Sequence, residues 1–185
     1  MAGEIPTKNP KAPAPKVFNC PSCGAGILIR AQGLTVSVAC RSCGSIIDAT
    51  NENYQVISKA AKNLKIEPLI PLGQRGKLKG VLWEVIGFMR RSDGSGAYTW
   101  SEYLLFNPLR GFHWLTEFDG HWNYVIPIKE KPKADIETAA IGNDRSTAKV
   151  FGKTYYLFQK GTAKVIYVVG EFYWRVKADE KVESL

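Results

Sequence analysis

Histidine is scarce in this chain: His113 and His121 are the only two among 185 residues. No apolar run approaches the roughly 18–20 residues that a bilayer crossing needs. Val165–Gly170 is among the longest, and Glu171 ends it. Between Met1 and Pro15 there are lysines and prolines but nothing apolar enough to serve as a signal peptide. These gaps argue against a membrane-spanning protein and against a secreted disulfide scaffold. Catalytic signatures are missing as well: there is no G-x-S-x-G elbow, no H-E-x-x-H helix, and no cysteine outside two C-x-x-C pairs. Gly73-Gln74-Arg75-Gly76-Lys77-Leu78-Lys79-Gly80 lacks the G-K-[ST] ending and a following helix, so it is not a P-loop.

What is present describes a folded chain. Hydrophobic residues make up 45% and charged residues 23%, the balance of a globular protein rather than a disordered one. The formal net charge is +8, which four metal-bound thiolates would lower. The charge is uneven: residues 51–80 carry six basic and two acidic side chains, whereas residues 81–128 carry three basic and five acidic. A basic neck followed by a mildly acidic core is the result, and such a neck suits an anionic partner as well as plain solvation.

The chain divides into a Pro/Lys-rich leader at 1–16, read as a disordered tail, then a cysteine module at 17–50 and a connector at 51–67. A larger β-rich region follows at 68–178, with a tail at 179–185. In the connector, a strand is expected at Tyr54–Ile57 and two turns of helix at Ser58–Leu64 with Ser58 as cap. Runs rich in β-branched and aromatic residues predict strands near Lys77–Arg90, Tyr98–Phe106, Phe112–Phe118, His121–Ile128, Lys149–Gln159, Thr162–Val169 and Phe172–Lys177. Asp119-Gly120 is the strongest hairpin signal, and Lys160-Gly161 is read as turning the next pair. A short helix at Asp135–Ile141 would fill the stretch 129–148, which otherwise lacks structure and is a candidate cover for a sheet edge. The expected fold class is mainly β, an N-terminal zinc ribbon followed by an antiparallel β-barrel or β-sandwich.

Around Asp119-Gly120, pairing should run outward as 118/121, 117/122, 115/124 and 113/126. That register puts His113 and His121 on opposite faces, so they cannot act as a pair. His113 and Glu117 share a face but stand about 13 Å apart along a strand. Catalysis is not expected.

Cys20-Pro21-Ser22-Cys23-Gly24 and Cys40-Arg41-Ser42-Cys43-Gly44 form two C-x₂-C knuckles sixteen residues apart. Each knuckle brings two sulfurs to one cation, and two knuckles complete a tetrahedron. Ile27–Ile29 and Leu34–Val38 read as strands joined through Ala31-Gln32-Gly33, a hairpin that would bring the knuckles together. The cofactor expected is one structural zinc on Cys20, Cys23, Cys40 and Cys43, in preference to an iron–sulfur centre or two disulfides. Residues 17–50 are too few to fold on a hydrophobic core alone, so the metal should hold this module, which is expected to melt on its own when a ligand is lost.

Further residues suggest a family. Gly80-x-x-Trp83-Glu84-Val85-Ile86-Gly87, Trp100-x-Glu102-Tyr103-Leu104-Leu105-Phe106, Trp114-Leu115, Asp119-Gly120-x-Trp122 and Gly170-Glu171-Phe172-x-Trp174 occur in this order. Together with the ribbon they resemble the bacterial domain of unknown function family four-one-seven-eight, over residues 68–178. The motifs are aromatic and structural, and the resemblance implies no established reaction or catalytic residue. It implies relatives that continue into membrane-spanning segments and are linked with envelope or membrane stress. Tyr173 stands where a proline is usual, and the sequence up to Leu185 holds no membrane segment, so the chain reads as a short member or a piece of a longer one.

The function expected is a non-catalytic zinc-binding adaptor or recognition module, with a protein partner first and peripheral membrane contact second. A nucleic-acid binder using the ribbon and a basic, aromatic β surface is the alternative. The candidate partner surface is Arg75, Lys77, Lys79 and Trp100. The five tryptophans otherwise read as core. No small-molecule substrate is evident, and the expected location is the cytoplasm or the inner face of the membrane.

Overall fold

Turn geometry sets where this chain reverses. Three tight hairpins share one signature, a positive φ at each of two central residues: Lys79-Gly80 (48° and 78°), Asp119-Gly120 (48° and 78°) and Phe151-Gly152 (49° and 73°). Such turns twist in the same sense as the strands they join. Asp-Gly announces itself in a sequence, whereas Lys and Phe at a left-handed position do not. The expected strand at Lys77–Arg90 is therefore two strands, and so is the one expected at Lys149–Gln159.

The computed structural model describes residues 15–59, 66–134, 147–156 and 160–184. Among them there is no helix. The strands are β1 (Lys16–Asn19), β2 (Gly26–Ile29), β3 (Ser37–Ala39), β4 (Ser45–Asp48), β5 (Val56–Lys59), β6 (Arg75–Leu78), β7 (Val81–Asp93), β8 (Thr99–Asn107), β9 (Gly111–Phe118), β10 (His121–Val125), β11 (Lys133–Ala134), β12 (Thr147–Val150), β13 (Lys153–Tyr156), β14 (Gly161–Phe172) and β15 (Lys181–Ser184). Every pairing is antiparallel. Ten strands form one sheet in the order β10-β9-β8-β7-β14-β3-β4-β5, with β6 added to β7 and β15 to β14. β1 pairs β2, and β11-β12-β13 form a small separate sheet. The large sheet does not close into a barrel, and the architecture is sandwich-like.

Several expectations change at this level. β2 pairs β1 and β3 pairs β4, so the ribbon is two hairpins, not one hairpin folded about Ala31-Gln32-Gly33. Ser58 lies inside β5 and caps no helix; the rest of that expected helix, like the one at Asp135–Ile141, falls largely or wholly outside the described residues. Among the described residues β13 pairs β12 and not β14, so the hairpin expected at Lys160-Gly161 is not seen among them. The strand expected to stop at Val169 runs on to Phe172, and Phe172–Lys177 is not a second strand. Residues 181–184, expected as tail, form β15.

Both faces of the central strands are buried. Ile86, Met89, Leu104, Phe106, Val165, Val168 and Phe172 pack on one face, joined by Ala31, Ala39 and Ile46 from the ribbon. Trp83, Val85, Phe88, Tyr103, Leu105 and Val169 pack on the other. In β7 the facing switches because Ile86 is an extra residue: Val85 pairs Leu105 and Gly87 pairs Leu104. A second such irregularity lies in β14 between Val165 and Tyr167. Where β7 meets the end of β14, Gly87 pairs Gly170, which also pairs Ala39. A Cβ on Gly170 would lie 2.3 Å from Ile86 O, and one on Gly87 2.4 Å from Glu171 O. The two family-motif glycines are thus the price of a close backbone crossing.

Candidate metal centre

Each C-x-x-C pair sits at the tip of one ribbon hairpin, and the tips are built alike. Cys20 N donates to Ala25 O at 2.8 Å and Gly24 N to Cys20 O at 2.8 Å; Cys40 N donates to Ser45 O at 2.8 Å and Gly44 N to Cys40 O at 2.9 Å. Gly24 (φ 74°) and Gly44 (φ 71°) supply the left-handed step that turns each knuckle.

The four Sγ atoms lie within 4.8 Å of one another. Cys20 and Cys43 sulfurs are 3.7 Å apart, and those of Cys23 and Cys40 are 3.8 Å apart. A tetrahedron with metal–sulfur bonds of about 2.3 Å has edges of about 3.8 Å, so the donor set fits a tetrathiolate metal site. A disulfide needs about 2.05 Å, and all four cysteines are free. Burial pushes the Cys40 thiol up to about 12 and raises that of Cys20. Burial acts the same way on Cys43, but hydrogen bonding from Ser45, whose Oγ is 3.3 Å from the sulfur, outweighs it and lowers the thiol to about 6. One thiolate is ready near neutral pH; a bound cation would supply what the buried thiols need to lose their protons. Four sulfurs around a tetrahedral ion leave no open position for substrate or water.

The ribbon is welded to the sheet by a buried carboxylate. Glu171, 1% exposed, accepts from the Arg30 amide at 2.9 Å, the Ala31 amide at 3.1 Å and the Thr35 hydroxyl at 2.8 Å. Burial raises its pKa against the pull of those donors. Arg30 also pairs with Glu84 of β7, and Arg75 holds the other Glu84 oxygen at 2.8 Å. Asp48 of β4 meets Arg175 at 2.7 Å. Ser37 donates to Trp174 O at 2.6 Å and accepts from Val176 N at 3.2 Å. Strand pairing, core and polar contacts all cross this junction, so the ribbon is not a separately packed module.

The four residues read as a partner surface fall in two places. Arg75, Lys77 and Lys79 lie together on exposed β6 and its turn, with Lys79 Nζ 5.3 Å from the Tyr124 ring centre. Trp100 pairs with Arg91, whereas Arg75 pairs with Glu84 seven positions earlier on β7, about 20 Å away. The structure does not bring Trp100 to the basic cluster. Instead Trp100 Nε1 donates to Glu102 at 2.8 Å, and Glu102 pairs with Arg91 at 2.9 Å.

The hairpin register around Asp119-Gly120 is as expected for three of the four pairs, with Phe118 opposite His121, Glu117 opposite Trp122 and Leu115 opposite Tyr124; the ladder ends at Trp114 opposite Val125, before the expected pair 113/126. His113 Nδ1 bonds Tyr124 Oη, and its ring lies 4.4 Å from that of Trp83. Burial and the nearby Arg110 lower its pKa, which favours the neutral imidazole. The diagonal placement of Tyr124 beside His113 was implicit in that register, but the hydrogen bond was not. Trp83 is core, as the sequence suggested; Trp122 is 43% exposed and is not.

The family model of the Domain of unknown function (DUF4178) matches residues 71–184. No curated protein and no solved structure matches the chain.

Proposed function

The chain belongs to the DUF4178 family, and from that premise we propose that it is a non-catalytic recognition module, stapled by one structural zinc, that docks a protein partner along β10. The observation that carries this reading is the edge of the large sheet. Among the described residues β10 pairs only β9, and its outer row of N–H and C=O groups finds no strand partner among them. Around that edge Trp122, Val125, Ile126 and Ile128 are 43–51% exposed. An apolar free edge is a template for adding a strand from another chain. Zinc is favoured by the two C-x-x-C knuckles on short hairpins, the arrangement of a structural zinc ribbon, whereas the four sulfurs by themselves would suit iron as well. The adaptor role, a cytoplasmic or inner-membrane-face setting and a link to bacterial envelope stress rest on the family resemblance.

A photo-crosslinker at Asn123 should capture a partner that is lost on Ile126→Lys with Ile128→Lys, at unchanged melting temperature. Capture that survives both lysines refutes the edge as the docking site. Metal analysis should return one zinc per chain; two disulfides or an iron–sulfur spectrum would refute the zinc. The nucleic-acid reading is favoured by the clustering of Arg75, Lys77 and Lys79. It predicts oligonucleotide binding that weakens with salt, by about 0.9 in log–log slope per phosphate neutralised, and that falls with Lys77→Ala. Binding to anionic liposomes instead would favour membrane contact.

A further inference from the structure

On the face of the sheet that carries Met89 and Leu104, a cavity of about 390 Å³, wide open to solvent on one side, lies against the segment that follows β14. Its floor comes from β7 to β10, where register puts Arg91, Glu102, Trp114 and Val125 on one side. Its roof is Tyr173, Trp174, Glu180 and Val182. We propose that this cavity binds a small organic ammonium ion, an activity that goes beyond docking at β10.

Three aromatic rings form one corner. Trp114 and Trp174 are inclined by 50° with centres 5.7 Å apart, Tyr173 and Trp174 by 66° at 4.9 Å, and Trp114 and Tyr173 by 64° at 6.3 Å. Rings set at steep angles to one another offer electron-rich faces in more than one direction, which is what a cation needs and a flat stack denies. Trp114 Nε1 donates to Tyr173 Oη at 3.2 Å, so the most obvious polar handle of this corner is already engaged.

Charge points the same way. Arg91 is closed against Glu102 at 2.9 Å, and the other Glu102 oxygen is held by Trp100 at 2.8 Å, so this half-buried pair presents no net charge. Arg91 Nη1 is buried and unpartnered, and a ligand anion cannot reach an atom that water cannot. Glu180, by contrast, has no cation within ion-pair distance among the described residues. The nearby Lys164 is taken by Asp179 at 2.8 Å. The lining therefore carries one uncompensated negative charge beside an aromatic corner, in a volume at the small end of ligand pockets.

The test titrates the zinc-loaded full chain with choline chloride, and separately with 3,3-dimethylbutan-1-ol, its uncharged isostere, at constant ionic strength. Tryptophan fluorescence and calorimetry are the readouts. Choline should bind saturably and at least about tenfold more tightly than the isostere. Glu180→Gln and Tyr173→Leu should each weaken choline severalfold while leaving zinc content and melting temperature in place. Phosphatidylcholine vesicles that displace choline, where phosphatidylglycerol vesicles do not, would identify a lipid headgroup as the source; no displacement would identify a free cation. Equal binding of choline and its isostere, no saturable binding of choline, or indifference to both substitutions overturns the proposal.

Discussion

The ribbon and the sheet that receives it hold their strands together by different means. The ribbon's own cluster has seven buried residues, and two of them, Cys20 and Cys40, are candidate metal ligands. The main cluster has eleven buried residues and no such ligand. One region is closed by sulfur and cation and the other by packed side chains, yet Ala31, Ala39 and Ile46 of the ribbon belong to the second cluster. Ion and core are therefore expected to stabilise each other, and a fault in the ribbon should be felt across the junction.

Removing the ion tests this most severely. Structural zinc supplies on the order of 10–16 kcal/mol in small zinc modules. Chelation or Cys40→Ser should lower the melting temperature of the whole chain, read by near-ultraviolet circular dichroism of the tryptophans, all of which lie outside the ribbon. A sheet that melts unchanged would restore the picture of two independent modules. Gly170→Ala comes next. Its Cβ would strike backbone at 2.3 Å in a left-handed conformation (φ 92°), and a loss of about 3 kcal/mol in denaturant unfolding is expected.

Glu171 and Asp48 both tie the ribbon to the rest of the chain, through Arg30, Ala31 and Thr35 in one case and Arg175 in the other, and they have opposite pH signatures. Burial raises the Glu171 pKa, so the folded protein keeps this proton to higher pH than the unfolded chain. Its contribution is greatest in acid and declines as pH rises above the ordinary carboxylate value of about 4.3. Hydrogen bonds from Thr50 and the charge of Arg175 lower the Asp48 pKa. Its contribution is present above about pH 4 and lost below it. Stability measured against pH should therefore lose its falling limb in Glu171→Gln, at a cost of about 1–3 kcal/mol, and its acid limb in Asp48→Asn. Identical profiles for the two variants would show that the attachment does not depend on these carboxylates. The smallest effect belongs to Lys79→Gly, which relieves a left-handed residue (φ 48°) and should gain up to about 1 kcal/mol in denaturant unfolding.

What the sequence disclosed was local. The cysteine spacing and Asp119-Gly120 carry their geometry within a few residues, and both appear in the structure as read. The ribbon's pairing was not legible, because Ile27–Ile29 and Leu34–Val38 look equally able to pair with each other or with β1 and β4. Lys79-Gly80 and Phe151-Gly152 were hidden by residues that seldom turn a chain. The cavity was beyond reach for another reason: sheet register brings Arg91, Glu102 and Trp114 to one side, and Trp174 and Glu180 reach them only through the fold of the segment that follows β14. Glu171 stood in plain view within a motif, but nothing local tells that a carboxylate will be buried on two amides of a distant loop.

The extra residue in β7 has a consequence for how such a chain can vary over generations. Because Ile86 shifts the register by one, Trp83 and Val85 upstream and Phe88 downstream reach the same cluster. Deleting Ile86 would leave inside and outside unchanged, because Val85 and Gly87 already stand opposite Leu105 and Leu104, two consecutive residues of β8. A single-codon deletion at this point would remove one core side chain and the local kink rather than turn part of the strand inside out. A residue gained or lost elsewhere in β7 would carry the side chains beyond it to the other face, so changes in length should collect in the turns or at this one position.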